Sequence, residues 1–389
     1  MNTFLSEADQ TVKSEFERFA KEQLAPVAQA LESRQANLAY FLQKLGQEGL
    51  LGINVPSQYG GRGGPFLHLV LLAEAFGVHN PGMAFTLASH ATVIEMLKRF
   101  GTDNQRSKYL PLLAQGEILG AFAYFEDESQ DPFEDTSTKV QTAGGGRVIS
   151  GKKRLVVNGR LAKLMIVLAV ESDAQKQKTY GFWLADSSAG HAITTEAQAP
   201  MMGLRSAYLD EVSLKSYPVT IEDRLGISQD DDIVRANEQC RHQFEFALAT
   251  MKTILAGSAL GMLTAVLAQS AQCAQDSQRF GMPLKDSQAA QWRLADLSVE
   301  STAARLLTYR AAWSTEKQEQ DFLKNAAMCK SYVARAARYH CAEAVQVLGL
   351  LNSGADSQIE RFYRDAKMFE LLEGTIDRER VLLSDELGI

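Results

Sequence analysis

The sequence predicts an α+β protein that is helical at both ends and β in the middle. Apolar residues recur three and four positions apart before residue 120 and after residue 226, which is the period of a helix. Between these limits the apolar segments are short, β-branched or aromatic, and separated by glycines and polar turns. We therefore expect an N-terminal helical domain over 1–120, a middle β-barrel-like domain over 121–225 and a C-terminal four-helix bundle over 226–389.

The first domain is predicted to contain several helices that pack on one another. Residues 7–33 have the amphipathic period, and Pro26 should interrupt this helix because proline has no N–H to donate. The pattern returns over 40–52. Residues 66–77 and 83–100 are small or apolar on most faces, which is typical of buried helices.

The middle domain should consist of antiparallel strands joined by surface turns. Segments 121–125, 154–158 and 164–170 are rich in β-branched and aromatic residues, and the three glycines of 144–146 predict a turn between strands.

Helical periodicity returns near Asp232, and long helices late in a chain are typical of an antiparallel bundle. The stretches that predict the bundle are 235–274, 285–313, 318–347 and a last one that ends near Leu387. Gly257 and Gly261 should allow close contact between helices. Trp292 and Trp313 are expected in the core or at a subunit interface.

The overall composition excludes several classes of function. The 389 residues carry a net charge of -7, so the chain is a poor generic binder of nucleic acid. The four cysteines form no CxxC pair, and the six histidines are scattered, so no spacing indicates a zinc site. Residues 1–10 lack the pattern of a signal peptide, and no apolar run suggests a membrane span. We therefore expect a cytoplasmic protein.

Short motifs of glycines, prolines and charged residues follow one another from about residue 40 to the end of the chain. The motifs are Leu45-Gly46, Glu48 to Ile53, Pro56 to Gly61, Phe100-Gly101-Thr102, Lys108 to Pro111, Gly203-Leu204-Arg205-Ser206, Arg279 to Leu284, Gln346 to Gly349, Arg364-Asp365-Ala366-Lys367 and Glu373-Gly374-Thr375. In order and spacing they are similar to the signatures of the acyl-CoA dehydrogenases. The resemblance extends over all three expected domains and implies that family's fold.

The resemblance also implies an activity. It indicates an FAD-dependent oxidoreductase that removes hydrogen from Cα and Cβ of an acyl-CoA or acyl-carrier thioester. An electron-transferring flavoprotein would accept the electrons. The family further implies a dimer or tetramer built from the C-terminal bundle, so we expect a homo-oligomer or a homologous partner subunit.

Glu373 is the candidate for the catalytic base. A carboxylate in a dry pocket is suited to take the α-proton, because desolvation raises its pKa. Glu373 stands in Glu-Gly-Thr, where the family most often keeps its base, and Gly374 lets the backbone approach a ligand. The other position that the family uses is Met251 here, which cannot act as a base. Lys252, Arg205 and Gly374 are the candidate substrate-binding residues.

The candidate cofactor-binding residues lie in several segments that resemble flavin contacts of the family. They are Phe125, Glu126, Leu155, Val157, Arg279, Phe280, Gln346, Gly349 and Thr375. Phe125 replaces a hydroxyl residue, and Leu155 and Val157 replace the Trp and Thr that lie beside the flavin ring. The acidic residues that begin at Glu126 should repel a pyrophosphate unless they point away from it.

Three functions are compatible with these replacements. The first is a self-sufficient dehydrogenase that binds FAD through backbone groups. The second is a non-catalytic or half-site subunit of a heteromeric dehydrogenase that does not bind FAD by itself. The third is a CoA- or acyl-binding protein without a redox role.

Overall fold

The computed structural model describes residues 5–126, 132–172, 177–187, 192–226, 233–279, 281–349, 354 and 357–387. Of residues 134, 135 and 386 it describes the backbone alone.

Helices occupy the first part of the chain, as the sequence predicts. They are α1 (Glu7–Phe19), α2 (Ala28–Glu32), α3 (Leu38–Gln47), α4 (Phe66–Gly77), α5 (Pro81–Phe100) and α6 (Asp103–Ala114). The predicted interruption at Pro26 is confirmed, because the backbone between α1 and α2 passes through a π turn and then a 3-10 turn. Ser6 begins α1 by accepting a hydrogen bond from the N–H of Asp9 at 3.1 Å.

Helix α5 is the centre of this region. Every residue from Pro81 to Leu97 is buried, as its small and apolar sequence predicts. Asn80 begins the helix by accepting from the N–H of Met83. The helix packs against β1 (Gly120–Ala123) and against α8 (Ile233–Asp276), so it connects the first helices to both later regions.

The middle of the chain forms one curled sheet of seven strands. After β1 they are β2 (Lys139–Ala143), β3 (Gly146–Val157), β4 (Leu164–Ser172), β5 (Lys178–Asp186), β6 (Ile193–Ala197) and β7 (Leu209–Val219), with the short helix α7 (Pro132–Asp135) before β2. The spatial order is β1-β4-β2-β3-β7-β6, and β5 pairs with β4.

The prediction of a purely antiparallel region was wrong in one respect. Strands β1 and β2 both run parallel to β4, with Gly120 opposite Leu164 and Lys139 opposite Val170. A parallel pair needs a long crossover, which the segments between these strands supply. Within the described residues, β5 and β6 lie at different edges of the sheet and do not pair with each other. The predicted barrel-like domain is therefore an open, curled sheet.

Long helices return after the sheet. They are α8, α9 (Gln288–Lys317), α10 (Phe322–Leu348), α11 (Gln358–Phe369) and α12 (Ile376–Glu386). The pair β8 (Gln278–Arg279) and β9 (Met282–Pro283) forms a small hairpin between α8 and α9. The sequence predicted a single last helix, but a turn over 370–375 divides it into α11 and α12 because Gly374 has φ +100°.

Helix α8 is the core of the C-terminal region. Gly257 and Gly261 lie against the backbone of α4 at Val70 and Glu74, where a side chain would clash, so the predicted close contact is confirmed. By length and composition α8 is also the one described helix apolar enough to cross a membrane, with a mean hydropathy of 1.6 over 18 residues. Since 72% of that window is buried inside the protein, α8 is a core helix.

Candidate active site

Glu373 lies in the turn that separates α11 from α12. Its φ is +53°, a left-handed conformation that is uncommon for residues other than glycine. Gly374 follows with φ +100°, and a Cβ at Gly374 would lie 2.7 Å from Oε1 of Glu379. Thr375 then begins α12 by accepting from the N–H of Arg378 at 3.3 Å. The turn therefore requires glycine at 374 and presents Glu373 in a fixed backbone conformation.

Tyr124 contacts the Glu373 carboxylate directly. Its hydroxyl donates a hydrogen bond to Oε2 of Glu373 at 3.0 Å. Tyr124 is the first residue after β1, so this contact joins the middle sheet to the C-terminal turn. The two residues are 249 positions apart in the chain, and only the fold brings them together.

The ring of Tyr124 lies among other aromatic rings. The centroid of Tyr124 is 5.1 Å from that of Phe122 and 5.1 Å from that of Phe244 on α8. Phe125 makes an edge contact with the same ring at 6.4 Å. These contacts are typical tilted and edge-to-face arrangements, and they make the Tyr124 side of the Glu373 carboxyl apolar.

A buried ionic cluster lies on the other side of the turn. Nζ of Lys252 is 2.9 Å from the carboxylate of Glu379, and Nζ of Lys330 is 3.6 Å from it. Lys330 also donates to the carbonyl oxygen of Gly374. All three charged side chains are buried, and they come from α8, α10 and α12. The cluster therefore ties the turn that carries Glu373 to the two long helices behind it.

The environment changes the proton affinity of several of these groups. Burial raises the pKa of Glu373 above its usual value, although the Tyr124 hydrogen bond and the nearby ammonium groups of Lys330 and Lys252 act in the opposite direction. Burial also raises the pKa of Tyr124 well above its usual value, so its hydroxyl stays protonated and remains a donor. A carboxyl with a raised pKa in an apolar site is suited to accept a proton.

Two of the predicted cofactor segments lie side by side near Tyr124. The N–H of Arg154 on β3 donates to the carbonyl oxygen of Phe125 at 2.8 Å. A bulge in β3 between Lys153 and Val156 gives Leu155 a φ of +53° and leaves this residue 45% exposed. Val157 is buried in the core.

The carboxylate of Glu126 is fully engaged within the protein. It accepts from the N–H of Ser137 at 2.7 Å and from the N–H of Thr138 at 3.1 Å, and it lies 2.6 Å from Nζ of the buried Lys153. Although burial acts to raise it, these partners lower the pKa of Glu126 to about 2. Its charge is therefore neutralised locally; Asp127, Glu128 and Asp131 lie outside the described residues.

A second group of predicted cofactor residues meets at the C-terminal end of α10. The guanidinium group of Arg279 donates to the carbonyl oxygens of Gln346 at 2.9 Å and Val347 at 2.7 Å. Gly349 follows with φ +72° and lies against the same guanidinium. A pocket of about 180 Å³ opens here, between Arg279 and Arg293. Phe280 lies outside the described residues.

Arg205 belongs to a different part of the molecule from Glu373. Its Nε donates to the carbonyl oxygen of Met201 at 3.1 Å. The neighbouring N–H of Leu204 donates to the buried Asp365 on α11 at 2.6 Å. The loop over 203–206 therefore connects the sheet to α11, and the described residues provide no contact between Arg205 and Glu373.

Sequence reasoning missed three residues of this site, which are Tyr124, Lys330 and Glu379. Tyr124 directly precedes the segment that resembles a flavin contact, and this was the only available signal. Lys330 and Glu379 stand on helices whose other residues predict ordinary packing. Within the described parts of the chain, no group of three or more His, Cys, Asp or Glu residues is placed to hold a metal ion.

Two family models match the chain. The acyl-CoA dehydrogenase N-terminal domain matches residues 6–117 and the acyl-CoA dehydrogenase C-terminal domain matches residues 243–388, together about two thirds of the sequence. The protein YngJ of Bacillus subtilis, described as a probable acyl-CoA dehydrogenase, is 29% identical over 391 residues and covers 100% of both chains.

Solved structures share the fold. Butyryl-CoA dehydrogenase from Megasphaera elsdenii superimposes with a TM-score of 0.91 at 24% identity and covers 100% of both chains. The prolyl acyl carrier protein oxidase AnaB superimposes with a TM-score of 0.89 at 23% identity, covering 99% of this chain and 100% of its own. The arrangement of two helical regions around a curled sheet is therefore common to all three proteins.

Proposed function

The chain belongs to the acyl-CoA dehydrogenase family, and from that premise we propose that Glu373 is the base that removes the α-proton of its substrate. The family consists of FAD-dependent oxidoreductases that act on CH–CH bonds, and the protein has this activity and uses this cofactor. The observation that carries the proposal for Glu373 is its carboxyl in an apolar site, held at a turn of fixed conformation.

The chemistry requires one proton and one hydride to leave the substrate. The carboxylate of Glu373 forms a bond to the α-proton while the C–H electrons remain on Cα and begin to form the Cα=Cβ double bond. When bound, FAD accepts the hydride that leaves Cβ. Burial supports the role of Glu373, because a raised pKa favours the protonated product of its step.

The residues at the β3 bulge could contact the flavin ring of FAD close to this base. Leu155 is exposed at the β3 bulge beside Phe125, and the backbone of both segments is fixed by the hydrogen bond from Arg154. The Glu126 carboxylate, which was expected to repel a pyrophosphate, is turned toward Lys153 and two N–H groups. We propose that Phe125 and Leu155 line the ring side of the FAD site; contact of the buried Val157 with the flavin stays a prediction.

The end of α10 fits an anionic group. Arg279 and Arg293 border the pocket of about 180 Å³, and the left-handed Gly349 keeps the backbone open beside them. Guanidinium groups match phosphate oxygens in geometry and charge. We propose that Arg279, Gln346 and Gly349 contact the pyrophosphate of an FAD that is held mainly by a neighbouring subunit.

We propose that α9 supplies a contact with a second copy of the chain. Four apolar side chains seven residues apart are exposed on one face of this helix. They are Trp292 (62%), Val299 (68%), Leu306 (41%) and Trp313 (49%). A long exposed apolar stripe is typical of an interface. The sequence left Trp292 and Trp313 open between the core and an interface, and their exposure favours the interface.

The relatives support one class of thioester substrate. We propose an acyl-CoA substrate, which the acyl-CoA dehydrogenases among the relatives support. We also propose an electron-transferring flavoprotein as electron acceptor, because a solved structure with the same fold is described by that name. The fold shared with the acyl carrier protein oxidase makes a carrier-bound acyl group the first alternative to assay. We further propose that the protein works in the cytoplasm, which fractionation of cells would test.

A half-site subunit, which would share the activity and the FAD of a heteromeric dehydrogenase without binding FAD by itself, is the second candidate function. It is favoured by the side chains at the β3 bulge, where Leu155 and Val157 provide neither the aromatic ring nor the hydroxyl expected beside a flavin. Such a subunit would pair with an intact homologue and lend it contacts through Arg279.

Visible absorption of the purified chain distinguishes the two functions. The protein should be recorded alone, with and without added FAD. About one flavin per chain is expected for the self-sufficient enzyme. A colourless protein that takes up no FAD would contradict it, and co-purification with a homologue would then support the half-site subunit.

A further inference from the structure

We propose that Tyr124 orients the catalytic carboxylate of Glu373 by holding Oε2, so that Oε1 is the atom that takes the α-proton. This inference rests on the proposed role of Glu373 as base. The observation behind it is the hydrogen bond from Tyr124 to Glu373. Tyr124 belongs to none of the motifs that resemble the family, so this observation is independent of the resemblance.

The position of the Tyr124 hydroxyl is fixed by the fold around it. Tyr124 follows β1 directly, and β1 is paired in parallel with β4 over four residues. The ring then packs between Phe122 and Phe244, each 5.1 Å away between centroids. A ring held on two sides keeps its hydroxyl at one place relative to β1, which is what orienting a second group requires.

The backbone of Glu373 is fixed from the other side. Lys330 donates to the carbonyl oxygen of Gly374, and the space beside Gly374 is filled by Glu379. The backbone from which the Glu373 side chain extends is therefore held in place. With Oε2 bonded to Tyr124 at 3.0 Å, Oε1 is the oxygen that forms no hydrogen bond within the described residues.

The same hydrogen bond favours the ionised base. The neutral Tyr124 hydroxyl stabilises the carboxylate form of Glu373 and not its protonated form. Three other ionisable groups act on the carboxyl through their charge: Lys252 on α8, Lys330 on α10 and Glu379 on α12. Arg378 also acts on Tyr124. Because Tyr124→Phe leaves these charges unchanged, it removes the contribution of the hydroxyl alone.

The test compares Tyr124→Phe with the parent enzyme and with Tyr180→Phe. Tyr180 is a matched control because it belongs to the same chain of aromatic contacts, through Phe133 and Phe244, and makes no contact with Glu373. The base works only when ionised, so a raised proton affinity moves the acid limb of the kcat/KM profile to higher pH. We expect a shift of about one pH unit and a fall in rate of about tenfold at low pH.

A second readout needs no turnover. Infrared spectra are recorded across pH for the parent, Tyr124→Phe and Tyr180→Phe proteins, each with and without the additional substitution Glu373→Gln. In each background, subtracting the spectrum with Glu373→Gln from the spectrum without it isolates the C=O stretch of the Glu373 carboxyl. We expect protonation of Glu373 at higher pH in the Tyr124→Phe background than in the parent and Tyr180→Phe backgrounds. This signal reports the carboxyl whether or not an acyl thioester is oxidised.

The outcomes separate the two assignments. A shifted carboxyl titration together with a shifted kcat/KM profile supports the role of Tyr124. If Glu373→Gln abolishes turnover while Tyr124→Phe leaves both titrations where the parent has them, the role of Tyr124 is wrong and the base remains. If Glu373→Gln turns over as fast as the parent, the base assignment itself is wrong.

Discussion

Lys252 and Glu379 form a buried ion pair at 2.9 Å directly behind the turn that carries Glu373. Lys252 was expected to bind substrate, but the structure places its ammonium group on a carboxylate of α12. Its direct contact with substrate therefore stays a prediction. What the structure adds is a connection between α8 and the Glu373 turn, through which Lys252 can act on the base at a distance.

Removing one partner of this pair should destabilise the protein strongly. In Glu379→Gln the ammonium groups of Lys252 and Lys330 stay buried without their carboxylate. We expect a loss of about 3–5 kcal/mol in the free energy of unfolding, measured by urea denaturation. Asp377→Asn is the control, because its ion pair with Arg380 is exposed and should contribute about 0–1 kcal/mol. Equal effects of the two substitutions would contradict the importance of the buried pair.

Gly374→Ala should reduce both stability and activity. The new Cβ would lie 2.7 Å from Oε1 of Glu379, and φ of +100° is strained for any other residue. We expect a destabilisation of about 1–3 kcal/mol and a lower kcat, because the turn that presents Glu373 must move. Gly144→Ala is a matched control, since Gly144 also has positive φ but open space around its Cβ position. Gly144→Ala should reduce stability but leave kcat unchanged. A normal kcat in Gly374→Ala would contradict the expectation, because the turn would then tolerate movement.

The Glu126 carboxylate should contribute stability that depends on pH. Its pKa is lowered to about 2 in the folded protein, whereas the unfolded chain has the usual value of 4.5. A depressed carboxyl pKa stabilises the fold above pH 4.5, and this contribution is lost as pH falls from 4.5 toward 2. The difference in unfolding free energy between the parent and Glu126→Gln should therefore shrink over that range. A difference that is independent of pH would contradict the ion pair with Lys153.

Much of the molecule was predictable from local sequence. The change from helix to strand near Gly120 and the interruption at Pro26 follow from periodicity and from proline chemistry, and both are present. The parallel direction of β1 and β2 was not predictable, because strand direction depends on which distant strands pair. The division of the last helix depends on two consecutive positive φ values, at Glu373 and Gly374, of which only the glycine gives a sequence signal.

The site shows the same division between local and distant information. Glu373 could be named from its motif, because a Glu-Gly-Thr turn is a local pattern. Its partners could not, since Tyr124 is 249 residues away and Lys330 donates across 44 residues. Whether Glu126 points toward a cofactor was also beyond the sequence, because its partners at Ser137 and Lys153 come from elsewhere along the sheet.

Arg279→Ala should weaken the retention of FAD. The substitution removes a guanidinium group from the pocket at the end of α10, and also two hydrogen bonds to carbonyl oxygens there. We expect the affinity for FAD, measured by flavin fluorescence, to fall about tenfold. Arg380→Ala, on the distant α12, should leave it unchanged. If Arg279→Ala lowers stability but leaves the FAD affinity unchanged, the proposed contact with FAD is wrong. Arg279 would then serve only to cap the carbonyl oxygens at the end of α10.

A negative charge in the exposed stripe of α9 should separate subunits. In Val299→Glu the new carboxylate would have to be buried when two copies meet, which is unfavourable without a partner. We expect a smaller molecular mass by light scattering after size-exclusion chromatography. Val381→Glu is the matched control, because Val381 on α12 is similarly exposed but lies outside the stripe. A parent protein that is already monomeric would contradict the proposed contact between copies.

The central claim is that Glu373 takes the α-proton while bound FAD receives the hydride. It is tested most directly by mixing the FAD-loaded protein with an acyl-CoA in the absence of oxygen and following the loss of flavin absorbance in a single turnover. A general base contributes about 10²–10⁴-fold to such a step, so flavin reduction in Glu373→Gln should be slower than in the parent by that factor. Equal rates of flavin reduction in the two proteins would contradict the account.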